Sequence, residues 1–116
     1  MRTEDLPSRW DGVAERLPDR LEDLRGPTNG TLSLPLHLAW SGMRDFDLNV
    51  YRQRLSAYHV VVTELRRKED AVRYLNAGHL LELWPNLRRL LGPRYRQVWE
   101  TRFPGLATNV PSLSHR

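Results

Sequence analysis

Arg88, Arg89, Arg94, Arg96 and Tyr95 crowd the stretch "RRLLGPRYR" late in the chain. Guanidinium groups spaced this closely can neutralise phosphates without reading a base sequence, and arginine and tyrosine also dominate protein-binding hot spots. Arg94 and Arg96 follow Pro93 at an apparent helix start, where cations oppose the helix dipole unless an anion or acidic partner lies nearby. A solvated face, partly neutralised by Glu82, Glu100 or the acidic N-terminal residues, accounts for the same pattern without a ligand. These five residues are the candidate partner or nucleic-acid surface.

Other reactive side chains group poorly. "RDFDLN" places Asp45 and Asp47 two residues apart, a spacing that also occurs in acidic metal loops. Asp47 stands just before a long periodic segment, so helix capping explains it more simply. His37, His59, His79 and His115 are scattered, with no pair at i, i+4 and no zincin glutamate. Ser41 in "AWSGM" lacks the G-x-S-x-G frame of a nucleophile elbow, and "PTNG" is a turn rather than a phosphate loop. No nucleophile, base and orienting group assemble by spacing. The expectation is no catalytic residue, no metal, no cofactor and no enzyme.

A helix-turn-helix over residues 70 to 89 is the sharpest nucleic-acid reading. It would make Gly78 the turn glycine, which puts bulky Tyr74 where a small residue belongs and Pro85 inside the recognition helix. Only Glu82, Asn86 and Arg89 would face outward. A helical hairpin of the core fits the same leucines better.

Composition sets wider bounds. The 116 residues suit one domain with a modest core, anchored by four tryptophans and four tyrosines. There is no cysteine, which excludes disulfides and thiolate chemistry and fits a reducing compartment. No segment approaches about 18 continuous apolar residues, and the start carries no apolar signal region. A cytoplasmic protein without membrane contact is expected. The net charge is +4, and Lys68 is the only lysine, an arginine bias that a GC-rich genome would produce. Acids lead up to Val50 and arginines thereafter, so the two halves can pack on one another.

The elements that must position these residues read as mainly all-α. The expected architecture is a compact bundle of five to six short helices, with room for one strand or hairpin near residues 28–35. "PSRWDGVAERLPDRLEDLRGP" predicts two short helices, the first capped by Ser8 and the second carrying Leu21 and Leu24 from Pro18 to Gly26. Residues 1–26 would form an acidic helical arm, 27–106 the helical core and 107–116 a frayed tail. Between 28 and 40, "TLSLPL" alternates like an edge strand, while Leu34 to Trp40 fit a short buried helix from Pro35 to Gly42; the helix is favoured.

From Asp47, the residues Leu48, Tyr51, Leu55, Tyr58, Val62 and Leu65 recur at helical spacing and predict the central helix, against the β preference of Val60 to Val62. A helix from about Glu69 to Leu75 should stop at Asn-Ala-Gly. The next should put Leu80, Leu83, Trp84, Leu87, Leu90 and Leu91 on one face and bend at Pro85, and a last should run from Pro93 and bury Tyr95 and Trp99. Trp40, Tyr51, Leu55, Tyr58, Trp84, Leu87 and Trp99 are the expected core anchors.

"LPLHLAWSG", "YRQRLSAYHVVVTEL" and "YLNAGHLLELWPNLRRLLG" together resemble a group of small actinobacterial helical proteins of unassigned activity, over roughly residues 26 to 106. The resemblance implies a compact intracellular protein and assigns no functional residues. Two functions are expected from these readings. The first is a non-enzymatic interaction or regulatory module of the antitoxin kind, docking on a cognate protein or a second copy. The alternative is a nucleic-acid-binding regulator that uses the arginine edge.

Overall fold

The structure, a computed structural model, describes residues 14–39 and 42–108. Two single 3-10 turns, Ala14–Arg16 and Leu21–Asp23, precede a strand pair, β1 (Thr31–Ser33) and β2 (Asp45–Asp47). Five helices follow: α1 (Tyr51–Glu64), α2 (Lys68–Tyr74), α3 (Ala77–Leu90), α4 (Pro93–Arg102) and α5 (Pro104–Thr108). The chain is mainly helical with one short antiparallel hairpin, as its composition and periodicity predict.

The framework is α1 against α3. The Tyr58 hydroxyl accepts the Asn76 N–H at 2.8 Å, Arg54 reaches Glu82 at 3.4 Å, and Asn86 donates to the Tyr51 hydroxyl at 2.7 Å. These bonds tie α1 to α3 along both helices. Between them Ala57, Tyr58, Val61 and Val62 of α1 are buried, as are Leu80, Leu83, Trp84 and Leu87 of α3. Packing on this face outweighs the strand preference of the three valines, because propensity differences are small beside burial of whole side chains.

Pro85 lies inside α3 without ending it. A proline there costs about 3 kcal/mol, and burial of Leu83, Trp84 and Leu87 on either side offsets that cost. Trp84 then meets Trp99 of α4 at 6.3 Å between ring centroids, and Trp99 meets Phe103 at 5.9 Å. Phe103 and Leu106 are buried, which holds α5 on the bundle and extends helix into residues 107 and 108, where a frayed tail was expected.

Several local expectations are corrected. The helix expected from Pro18 to Gly26 is reduced to the turn Leu21–Asp23, because the chain leaves it to pair with the α2–α3 junction. There the Arg25 N–H donates to the Val72 carbonyl at 2.8 Å and Gly26 N–H to that of Leu75 at 2.7 Å. Gly26 is needed for this approach: a Cβ would stand 2.5 Å from the Tyr74 carbonyl carbon. Leu17 and Leu24 join the single core cluster, so these residues belong to it. Ser8 lies outside the described residues.

The edge-strand reading of "TLSLPL" is the one the fold adopts. Leu32 pairs with Phe46, and both are buried. The expected helix after Pro35 shrinks to one turn, in which the Pro35 carbonyl accepts from Leu38 and Ala39. Asp47 does not cap α1. It ends β2, and its carboxylate accepts the Asn49 N–H at 2.9 Å in the turn before the helix. Asn76 opens α3 instead of stopping α2: its side chain accepts the His79 N–H at 3.1 Å, a true N-cap.

Candidate functional site

The structure divides the arginine edge. Arg88 is half-buried, and its Nε donates to Glu100 Oε2 at 2.8 Å; the Trp84 indole N–H donates to the same oxygen at 2.7 Å. Partial burial pushes the Glu100 carboxyl up. The hydrogen bonds from Arg88 and Trp84, with the charges of Arg88 and Arg96, outweigh that and hold its pKa below the usual carboxylate value. Arg88 therefore serves the α3–α4 contact, and Arg96 stands one turn before Glu100 on α4, where its charge favours the carboxylate. Tyr95 does likewise at the end of α1, where its hydroxyl donates to the Thr63 carbonyl at 3.2 Å.

Arg16 donates to the Leu65 carbonyl in the same place, so the polar recess of Arg16, Thr63, Glu64, Leu65, Arg66 and Tyr95 is largely a helix C-cap. Only Arg89 and Arg94 of the five remain exposed, without a hydrogen bond or ion pair among the described residues. The side chains that a helix-turn-helix would turn outward are partly engaged. Glu82 and Asn86, two of the three side chains that α3 would offer a base edge, are bonded to α1.

Asp70 is a site that sequence reasoning missed. Only 2% exposed, it takes His37 Nε2 at 3.0 Å and Arg67 Nη2 at 3.2 Å, the second across a single turn. The pairing ties the loop after β1 to α2, and no spacing in the sequence links residues 37 and 70. It orients an exposed imidazole, but among the described residues no group of three metal-ligating side chains forms.

Part of the surface is apolar and concave. Met43, Phe46, Leu55, Ser56, His59, Val60 and Leu90 line a groove of about 350 Å³ between β2, α1 and the end of α3. Met43 and Leu90 stand on its rim 54% and 53% exposed. Leu90 was expected on the buried face of α3 and Tyr51 among the core anchors; instead Tyr51 is 38% exposed, one turn before Leu55 on α1. Leu55 is half-buried, while Tyr58, Trp84, Leu87 and Trp99 are fully buried as expected. Trp40 lies outside the described residues.

Four residues beyond Asn86, Leu90 occupies the same flank of the helix. It repeats the spacing of buried Leu83 and Leu87, yet stands half-exposed.

No protein-family model, no curated protein and no solved structure matches this chain. The chain's own geometry therefore carries the functional reading. No helix among the described residues is long and apolar enough to cross a membrane.

Proposed function

We propose that the chain is a non-enzymatic protein-binding module, a regulatory partner of the antitoxin kind, whose docking face is the groove between α1, β2 and α3. One observation carries this reading: Met43 and Leu90 project half-exposed from the rim of a concave apolar surface. Isolated exposed leucines are ordinary, but apolar side chains that converge on a groove mark contact surfaces. Covering what remains exposed of these two would contribute on the order of 1 kcal/mol each, enough to seed a hot spot. The unbranched Met43 can also adapt to the shape of a partner.

Asp70 and Glu100 hold elements together and lie outside the groove, whose lining includes His59 and Ser56 beside the apolar side chains. The nucleic-acid reading retains Arg89 and Arg94. Two phosphate contacts give a salt slope of about −2 on a logarithmic plot, where four would give about −4.

Capture of tagged wild-type protein from its native lysate, with and without nuclease, tests the proposal when run beside Leu90→Asp. A stoichiometric protein that survives nuclease and is lost with Leu90→Asp is the expected result. Retention of the same protein by Leu90→Asp would overturn the assignment of the groove. Recovery that depends on nucleic acid and on Arg89 and Arg94 would favour the alternative.

A further inference from the structure

The charge around the groove says what kind of segment it takes. On α1, Arg52 lies three residues before Leu55 and four before Ser56, which places it on the flank that lines the groove. On α3, Arg89 lies three residues after Asn86, on the flank that faces α1 at Tyr51. Both are exposed, and neither has a hydrogen bond or ion pair among the described residues. The groove thus has a mainly apolar floor and, on each of the helices beside it, a cation unpaired among the described residues.

Nearby carboxylates are turned away or already engaged. Asp45 accepts from the Ser33 hydroxyl at 2.6 Å, on the face of the hairpin opposite buried Phe46. Glu82, two turns back along α3, is held by Arg54 and lies 3.7 Å from His79. Asp47, on the same face of β2 as Asp45, accepts the Asn49 N–H, so an incoming anion on the side of Arg52 and Arg89 meets two cations. A basic segment would meet repulsion with nothing to relieve it.

The groove admits about one turn of helix. Leu55 to Val60, the α1 residues that line it, span about 7.5 Å at 1.5 Å per residue, room for apolar anchors at i and i+3 or i+4 of a docked helix. Resting on the docking reading above, we infer that the groove binds an acidic amphipathic helix of a partner protein. Its apolar stripe would fill the space between Met43 and Leu90, with glutamate or aspartate on its flanks meeting Arg52 and Arg89.

The experiment uses the full chain and two labelled peptides of 16 to 18 residues, each with leucines at i, i+3, i+4 and i+7. One carries glutamate on its flanks and the other lysine. Binding is read by fluorescence anisotropy at low and moderate salt, with circular dichroism used to verify that each variant is folded. The acidic peptide should bind at least about tenfold more tightly than the basic one, with the gap narrowing as salt rises. Leu90→Asp should abolish binding. Arg52→Glu with Arg89→Glu should reverse the charge preference while leaving Leu90 in place.

Equal binding of both peptides, lost in Leu90→Asp, would overturn the acidic partner and leave the docking groove standing. Failure of both peptides, together with wild-type self-association that Leu90→Asp abolishes, would assign the groove to a second copy and overturn the inference. Failure of both with a monomeric wild type would count against the groove and the inference alike.

Discussion

Glu100→Ala is the substitution whose consequence follows most directly from the packing between α3 and α4. One carboxylate oxygen accepts both the Arg88 guanidinium and the Trp84 indole N–H, and its side chain is 18% exposed. Truncation leaves the indole N–H of a fully buried tryptophan without its acceptor, at a cost of about 1–3 kcal/mol. It also removes a charge-assisted bond to Arg88, discounted because that arginine is partly solvated. We expect a total loss of about 3 kcal/mol.

Urea unfolding followed by circular dichroism would read this as a midpoint lowered by about 2 M, for a slope near 1.5 kcal/mol per molar. Arg88→Ala alone should cost about 1–2 kcal/mol, and the double mutant should show a coupling of about 1 kcal/mol. Because folding holds the Glu100 pKa below its unfolded value, its contribution is fully present above that value and fades as the pH falls through the folded pKa. Glu100→Gln should lack this acidic component. A Glu100→Ala protein within about 0.5 kcal/mol of wild type, or a coupling of zero, would refute the structural role of the pair and return Arg88 to the free surface.

Three further outcomes follow from single positions. Gly26→Ala should cost about 3 kcal/mol by thermal or urea melting, because the new methyl meets the backbone of Tyr74 and Leu75, which cannot swing aside. Tyr58→Phe should cost about 1–3 kcal/mol by stranding the Asn76 N–H. Burial pushes the Tyr58 phenol up to about 12 from 10, so its contribution is present below pH 10 and is lost as the pH climbs toward 12, a fall that the phenylalanine variant should not share. Gly92→Asp should raise stability by about 0.3 kcal/mol, since Gly92 stands at the start of α4 without a side-chain cap and its added Cβ meets nothing within 4 Å.

The repeating apolar positions of α1 and α3 determine that the chain is helical, where the long helices run and that Tyr58, Trp84, Leu87 and Trp99 fill the core. Helical periodicity is a property of consecutive residues, so it is visible without any contact. Local chemistry likewise marks Pro93 as a helix start. The same local rules mislead where a long-range partner competes. Residues 21–26 leave their helical pattern to pair with the α2–α3 junction, and Asn76 caps the helix that follows rather than closing the one before. Asp47 is drawn into a strand by Thr31, sixteen residues earlier.

The candidate surface depended still more on tertiary structure. Arginine spacing singled out Arg88, Arg89, Arg94, Arg96 and Tyr95 as one edge, yet a salt bridge to Glu100 and a helix cap divide that edge, because pairing depends on which residues the fold brings across. Leu90 repeats the pattern of its buried neighbours, and nothing along the chain shows that it stays half-exposed. Periodicity says which side chains must leave water. Only the placement of elements says which of them find cover within the chain and which stay exposed.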